Sequence, residues 1–335
     1  MKTILVTGAN GFIGSHTLEY LRCQSDIRLI AVCRDRRKLP ADYRGEVRQG
    51  DLRDETYLKG LLNGVDVVVH AAAWSSLWGH AQQSEALFYQ PSRQLVERFF
   101  SSQASRFVNI STTSAAAPDY SADAQAVGIS RPFWPHLCNL IRLENALREQ
   151  ASSTKTVINL RLGLFVGEHY GLGLLPILLP RLRTRLVPWV EGGKTAMPLA
   201  DGRDYAQAVG LAALKDGLTG YQGLNIVGKE TPSVREVILF LHQEYGYPRP
   251  RFSVSFALAY RFARLMEQLD PFLPWEPLIV RSIVHLLEET RASNEQAATL
   301  LGYRPQYDWR DAIRLQIAEM QHRQRRPMKM AKEIV

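Results

Sequence analysis

The chain has 335 residues, 41 lysines and arginines against 33 aspartates and glutamates, a formal charge of +8 and 46% hydrophobic residues. This apolar fraction, beside a charged fraction of only 22%, excludes intrinsic disorder, and three cysteines exclude a disulfide-stapled miniprotein. The length predicts two domains, or one domain with a large addition. Because the cysteines are odd in number and lack metal-ligand spacing, we expect a cytoplasmic protein without a metal site.

Short β-branched segments alternate with longer stretches of helical periodicity through the first half of the chain. This alternation predicts βαβ units and therefore an α/β fold with a doubly wound parallel sheet of the Rossmann type. The predicted strands are residues 4–7, 28–33, 65–70, 107–111 and 157–162, with a further strand at 223–228. The predicted helices are residues 12–23, 55–62, 85–101, 136–149 and 204–215.

The composition changes after about residue 168, where glycine, proline, leucine and arginine become frequent and helical stretches are broken by prolines. This predicts a smaller, mostly helical substrate lobe over the carboxyl edge of the sheet. The nucleotide-binding domain would comprise residues 1–167 and about 201–228. The lobe would comprise about 168–200 and 229–322, followed by a disordered basic tail at 323–335.

A glycine-rich loop, TGANGFIG from Thr7, lies directly between the first predicted strand and the first predicted helix. Gly8 permits the tight turn, Gly11 lets the backbone approach a pyrophosphate, and Gly14 lets the helix pack closely on the strand. N–H groups at a helix start, with the helix dipole behind them, attract phosphates. The loop therefore predicts a dinucleotide site that also includes Asn10, Phe12 and Ile13.

The end of the second predicted strand indicates which dinucleotide binds. Arg34 lies about 20 residues beyond Gly14, where an acidic residue binds the ribose 2′-hydroxyl of NAD and a basic one accepts the 2′-phosphate of NADP. Arg34 therefore favours NADP(H) over NAD(H). Asp35 follows at once and residues 36–38 are basic, so a solvated run of charges is the alternative.

Several motifs together resemble the extended short-chain dehydrogenase/reductase family. They are the glycine loop, GDLRD from Gly50 and VHAAA from Val69. WSSLWG from Trp74 and NLRLGLFVG from Asn159 are more narrowly similar to its branch of 3β-hydroxysteroid dehydrogenases and NAD-dependent epimerases, and LGYRP from Leu301 is similar to the element that closes such chains. The resemblance covers about residues 1–320 and implies a nicotinamide cofactor and a small-molecule substrate.

The resemblance also implies roles for single residues. Asp51 and Leu52 would flank the adenine, and Ser111 would end the strand predicted at 107–111 beside the nicotinamide. Thr113 matches the polar residue with which the family holds the substrate oxygen. The path to the nicotinamide ribose would be lined by Ala71, Ala72 and Ala73.

The helix predicted at 136–149 departs from the family pattern. The family places a tyrosine and, four residues on, a lysine on one helical face, where the ammonium lowers the pKa of the phenol. Aligning on Glu144 puts His136 at the tyrosine position and Leu140 at the lysine position. We take His136 as the best available proton donor, because imidazole titrates near neutrality; the alternative is a helix-capping or partly exposed histidine.

Two functions fit this pattern. The first is an atypical oxidoreductase that acts on a moderately apolar alcohol, ketone or alkene-type substrate, with Thr113 and His136 as its catalytic groups. The second is a catalytically inactive protein that kept the nucleotide site as a scaffold or regulator. Trp74 and Trp78 would either wall the substrate or pack between the lobes.

Partners other than a small molecule receive little support. No stretch predicts a membrane span or a nucleic-acid-reading motif, so we expect neither. The aromatic and basic run at residues 252–264 would lie against lipid, line an apolar pocket or simply pack a core, so peripheral membrane contact stays open. Family members often dimerise through helices beside the fourth and fifth strands, and a homodimer stays open too.

Overall fold

A computed structural model of the chain describes residues 1–116, 120–169, 173–272, 277 and 279–332. The described residues form eleven strands: β1 (Lys2–Thr7), β2 (Ile27–Cys33), β3 (Glu46–Gln49), β4 (Val67–His70), β5 (Arg106–Thr112), β6 (Thr156–Leu162), β7 (Leu164–Val166), β8 (Trp189–Val190), β9 (Leu199–Asp201), β10 (Tyr221–Ile226) and β11 (Ser253–Val254).

The same residues form twelve α-helices: α1 (Phe12–Leu21), α2 (Glu55–Leu61), α3 (Ala81–Ser84), α4 (Gln90–Ser101), α5 (Pro135–Gln150), α6 (Leu174–Arg183), α7 (Gly202–Leu214), α8 (Val234–Tyr245), α9 (Phe256–Leu269), α10 (Arg281–His285), α11 (Glu295–Leu301) and α12 (Trp309–Lys332). Of the helices described, none is long and apolar enough to cross a membrane.

Seven strands pair in one parallel sheet of order β3-β2-β1-β4-β5-β6-β10. The order reverses between β1 and β4, and ligands of such sheets bind in the crevice at the carboxyl ends of the strands at this reversal. The prediction of a doubly wound parallel sheet is therefore confirmed. Apart from the helix predicted at 85–101, the strands and helices predicted in the first domain agree with the observed ones within a few residues at each end. The predicted bounds did not include β3.

Alternate residues of the central strands pack into two separate apolar clusters, one on each face of the sheet. Ile4 and Val6 belong to the cluster beneath α1 and α7, whereas Leu5 and Val68 belong to the cluster beneath α2, α4 and α5. This is the period of two that a strand imposes on its side chains. Because both faces are covered, the central strands are apolar at almost every position.

A smaller lobe follows β6. Its main cluster joins α6, α8 and the start of α12 through buried residues such as Leu175, Val237 and Trp309. A second, smaller cluster joins α9 to α10 through Ala263 and Val284.

Three elements differ from the sequence-based expectation. The predicted helix at 85–101 begins with a π-helical turn, Glu85–Tyr89, preceded by α3. The helix α12 continues through Lys332, where we expected a disordered tail. The element α11, which we assigned to the lobe, packs with Tyr303 into the first cluster of the nucleotide domain.

Hydrogen bonds explain why the end of the chain returns to the first domain. The hydroxyl of Tyr303 donates to the carbonyl of Val227 at 3.0 Å. The carboxylate of Asp204, on α7, accepts from the backbone N–H groups of Gln306 and Tyr307 at 2.8 and 3.1 Å.

Candidate active site

The glycine loop forms a tight turn between β1 and α1. Gly8 has φ +62°, and a Cβ atom there would lie 2.5 Å from the amide nitrogen of Ala72. A side chain at Gly14 would collide with the carbonyl oxygen of Gly8. Gly11 is the N-cap of α1, whose first turn, residues 12–15, contains no acid. The N–H groups at this helix start therefore suit an anion such as a diphosphate.

A buried polar chain holds the loop after β4 against Gly8. The N–H of Ala72 donates to Thr7 Oγ1 at 3.2 Å, and this oxygen lies 2.9 Å from Nδ1 of His70. Nε2 of His70 lies 2.9 Å from the hydroxyl of Ser92 on α4. Burial lowers the pKa of His70 to about 4, so the ring is neutral at pH 7. The neutral ring links Thr7 to Ser92 through its two nitrogens.

The carboxylate of Asp35, next to Arg34 in the chain, is already bonded to Arg37. Asp35 accepts from the backbone N–H of Arg37 and from its guanidinium at 2.9 and 3.0 Å, and this hydrogen bonding lowers the pKa of Asp35 to about 2. Arg34 itself is exposed at the end of β2. Asn10 donates to the backbone carbonyl of Asp35 at 3.3 Å and so ties the glycine loop to this strand end.

The other cofactor candidates differ in what their side chains do. Asp51 is half-buried and accepts from Arg53, whose hydrogen bonds lower the pKa of Asp51 to about 2. Leu52 packs against the second apolar cluster. The side chains of Phe12 and Ile13 pack inward, so these two residues can offer a ligand their backbone N–H groups. Ser111 is buried at the end of β5, whereas Ala71 is half-buried and Ala73 exposed.

An ion pair fixes how α5 lies on the sheet. Glu144 and Arg161, both fully buried, are joined at 2.6 Å between α5 and β6. Leu140, one turn earlier, is 9% exposed and belongs to the apolar cluster beneath α5. Arg142, on the same helix, is exposed, pairs with Glu85 at 2.7 Å and covers the ring of Tyr89.

His136 is buried in an aromatic surrounding. Its ring is 6% exposed and lies 4.9 Å from the ring of Phe88 and 6.3 Å from that of Trp74, with Nδ1 3.5 Å from the hydroxyl of Ser84. The N-cap of α5 is Trp134, so His136 is neither the capping residue nor partly exposed. Burial lowers the pKa of His136 to about 4, which leaves the imidazole neutral at pH 7.

Thr113 opens a turn that lines a cleft between the sheet edge and the lobe. The turn, Thr113–Ala115, follows β5 directly and is held by a bond from the N–H of Ser114 to Thr112 Oγ1 at 3.2 Å. The cleft is lined by Thr113, Ser114, Ala116, Ser121, Leu164, Pro198, His285, Leu286, Glu288, Glu289 and Thr290.

A histidine and a glutamate from the lobe lie in this cleft beside Thr113. Nε2 of His285 lies 3.1 Å from the carbonyl oxygen of Ser114, and Nδ1 lies 2.9 Å from Oε2 of Glu288. Arg131 lies 3.8 Å from the same carboxylate oxygen. Each ring nitrogen of His285 therefore lies within reach of an oxygen atom.

Sequence reasoning missed this pair. His285 is 171 residues from Ser114 along the chain, and only the packing of α10 brings the two together. The sequence pattern that could have indicated this pair is the spacing of three residues between His285 and Glu288 in a mostly apolar stretch.

The tryptophan-rich segment after β4 joins the two lobes. Trp134 Nε1 donates to the carbonyl of Ser76 at 2.8 Å, and the hydroxyl of Ser282 bonds to the carbonyl of Leu77. Phe133 and Trp134 lie 6.3 and 6.1 Å from the ring of His285. This segment therefore fixes α10, and with it His285, beside the turn that begins at Thr113.

A profile of the NAD dependent epimerase/dehydratase family matches residues 4–226. The chain belongs to this family. It is 26% identical over 334 residues to the uncharacterized protein YbjS of Escherichia coli (strain K12), covering 90% of this chain and 93% of that protein. It is 26% identical over 323 residues to the 2-alkyl-3-oxoalkanoate reductase of Stenotrophomonas maltophilia (strain K279a), covering 93% and 97%.

Solved structures of this family share the fold. The UDP-glucuronic acid 4-epimerase of Bacillus cereus, in complex with UDP-glucuronic acid and NAD, superposes with a TM-score of 0.71 at 21% identity. The superposition covers 96% of this chain and 99% of that chain, so both the sheet and the lobe have counterparts there.

Proposed function

We propose that this protein is an oxidoreductase that binds NADP(H) in preference to NAD(H) and acts on a moderately apolar small molecule with non-standard acid–base groups. The observation that carries the proposal is the Gly8 turn pressed against the backbone of Ala71 and Ala72, with Thr113 at a neighbouring strand end. The dinucleotide supplies or accepts a hydride when bound.

Each candidate residue then has a defined task. The N–H groups around Gly11 hold the diphosphate, and Arg34 binds the 2′-phosphate because Asp35 is engaged by Arg37. Thr113 orients the substrate oxygen. The reductase relative, named for a 2-alkyl-3-oxoalkanoate, supports a substrate that carries a keto group and an alkyl chain.

For the proton donor we propose His285 in place of His136. A general acid must hold a proton at the working pH and reach the substrate, and His136 is neutral and enclosed by rings. His285 is as buried as His136, at 6% exposure, but it lines the same cleft as Thr113, and its Nδ1 lies 2.9 Å from the carboxylate of Glu288. The proton on Nε2, which faces the carbonyl of Ser114, would pass to the substrate oxygen during reduction.

The second candidate function is a non-catalytic dinucleotide-binding protein. It is favoured by Leu140, an apolar residue buried at the position where the family's lysine would contact the ribose. We also infer a reducing compartment, the cytoplasm, for either function, since Cys23, Cys33 and Cys138 are free thiols.

Fluorescence titration with NADPH and NADH tests the cofactor. We expect tighter binding of NADPH, and we expect Arg34→Ala to weaken NADPH binding while leaving NADH binding nearly unchanged. An unaltered preference in this variant would contradict the role of Arg34. Absence of binding by either dinucleotide would contradict both candidate functions.

Oxidation of NADPH across a panel of alkyl-substituted ketones tests catalysis. We expect His285→Gln to lower kcat by about 10² to 10⁴ without changing NADPH affinity, and His136→Gln to have a much smaller effect. A proton NMR titration of the imidazole resonances should show that His136 stays neutral down to about pH 4. Tight NADPH binding without turnover would support the non-catalytic candidate.

A further inference from the structure

The helix α9 has an exposed apolar stripe. Leu258, Phe262, Leu265 and Leu269 repeat at spacings of four, three and four residues, and their exposed fractions are 55%, 48%, 49% and 40%. Residues at these spacings share one face of a helix. We call these four residues the α9 stripe.

The face of α9 that packs on the protein lies roughly a quarter turn around the helix from the stripe. Ala259, Ala263 and Met266 are buried there, against the cluster that includes Val284 of α10. Glu267 anchors the helix through an ion pair with Arg281 at 2.6 Å. The helix is therefore firmly attached to the lobe by a narrow seam, and its stripe is a separate outward surface.

Apolar exposure continues beyond both ends of α9. Phe252, just before the helix, is 51% exposed, and Phe272, just after it, is 83% exposed. The backbone carbonyl of Phe252 accepts from the N–H of Trp189, so β8 holds this residue in place. Large exposed apolar patches on a folded protein mark interaction sites.

The exposed charges within residues 251–269, a stretch that the structure describes in full, are all positive: Arg251, Arg261 and Arg264. Glu191, an exposed residue from another segment, accepts from the backbone N–H of Phe256 at the start of α9. Two copies of this face brought together would oppose unpaired arginines, which disfavours a homodimer here. Anionic headgroups would pair with the same arginines while the apolar side chains enter the acyl boundary.

We propose that α9 docks this protein on the surface of an anionic lipid bilayer, through the α9 stripe and its flanking arginines. The helix lies in the interface without crossing it, its apolar side chains inserted and its arginines at the lipid phosphates. The lipid surface then lies one helix away from α10, which carries His285. The docking itself is independent of the proposed oxidoreductase activity.

Vesicle co-sedimentation of the full-length protein tests the proposal. We expect binding to vesicles of phosphatidylcholine mixed with phosphatidylglycerol, much weaker binding to phosphatidylcholine alone, and release by added salt. Phe262→Ser with Leu265→Ser should lower the partition coefficient about a hundredfold, because two inserted side chains are lost. Arg261→Gln with Arg264→Gln should remove most of the salt dependence.

A matched control uses apolar side chains exposed elsewhere. Val127→Ser with Ile129→Ser alters residues that are 57% and 43% exposed, and this variant should bind vesicles as the unaltered protein does. Circular dichroism should show that every variant is folded. Equal binding by the Phe262/Leu265 variant, or no binding by the unaltered protein, would overturn the proposal. So would light scattering that shows a dimer which this variant converts to a monomer.

Discussion

Two glycines with nearly the same backbone conformation lie in different surroundings. Gly8 has φ +62° and Gly64 has φ +68°, a region that side chains other than glycine rarely adopt. A Cβ atom at Gly8 would meet the backbone of Ala71 and Ala72, whereas at Gly64 it would meet nothing within 4 Å. An alanine at Gly64 would therefore cost only backbone strain, whereas an alanine at Gly8 would cost both backbone strain and a steric clash.

We therefore expect Gly8→Ala and Gly64→Ala to behave differently. Gly64→Ala should lower the free energy of unfolding by about 1 to 2 kcal/mol, the cost of a left-handed alanine, and leave NADPH affinity unchanged. Gly8→Ala should be more destabilising and should abolish NADPH binding, because the loop after β4 must move. Urea denaturation and isothermal titration calorimetry measure the two effects. Equal NADPH affinity in both variants would refute this role of the turn.

At the scale of elements, the buried ion pair between Glu144 and Arg161 fixes the position of α5 on the sheet. Replacing Glu144 with Gln leaves the guanidinium of Arg161 buried without its counter-charge, and this should cost about 3 to 5 kcal/mol in the free energy of unfolding. A double change, Glu144→Leu with Arg161→Met, should recover much of that loss. Urea denaturation of the three proteins measures both differences.

An exposed ion pair on the same helix provides the control. Arg142→Met removes the bond to Glu85, but both partners remain in contact with solvent, so the loss should be below about 1 kcal/mol. If Glu144→Gln cost no more than Arg142→Met, the buried pair would not be what fixes α5.

The glycine loop was predictable from sequence because its geometry is local. The turn at Gly8 and the N-terminus of α1 depend on consecutive residues, and β1 and β2 are short apolar runs on either side. The cleft was not predictable in the same way. The contact of His285 with Ser114 depends on how α10 packs on the segment after β4, and no local pattern encodes that packing.

For His136, the sequence predicted the position on the helix but not the burial of the side chain. Its place on the helix was correct from the spacing to Glu144, yet its surroundings were not predictable. The rings of Phe88 and Trp74 come from two other elements, and they decide that the imidazole is buried. Spacing along a helix predicts which face a residue occupies, but burial is a property of what packs there.

At the scale of the whole molecule, buried histidines should make stability sensitive to acid. The folded protein takes up a proton on His70 only near pH 4, whereas the unfolded chain does so near pH 6.5. Between these values the unfolded state binds more protons, so the free energy of unfolding falls as the pH falls from about 6.5 to about 4. Asp204, whose pKa burial raises to about 6, acts in the opposite direction.

Comparison with a variant isolates the contribution of the histidine. Between pH 7 and pH 4, the unaltered protein should lose about 3 kcal/mol more unfolding free energy than His70→Gln does. His322→Gln, at an exposed position of α12, should show the acid response of the unaltered protein. Parallel pH profiles for all three proteins would show that His70 is not buried in its neutral form.

The hydrogen bond from Tyr303 to Val227 and the packing of α11 into the first cluster have a consequence for biosynthesis. The dinucleotide domain begins at the N-terminus, yet residues near position 300 complete its core. While the ribosome is still translating the preceding segment, β10 and α7 lack the partner that covers them. Stalled or prematurely terminated chains would therefore expose apolar core surface to chaperones and proteases, even though every dinucleotide-binding residue has already been synthesised.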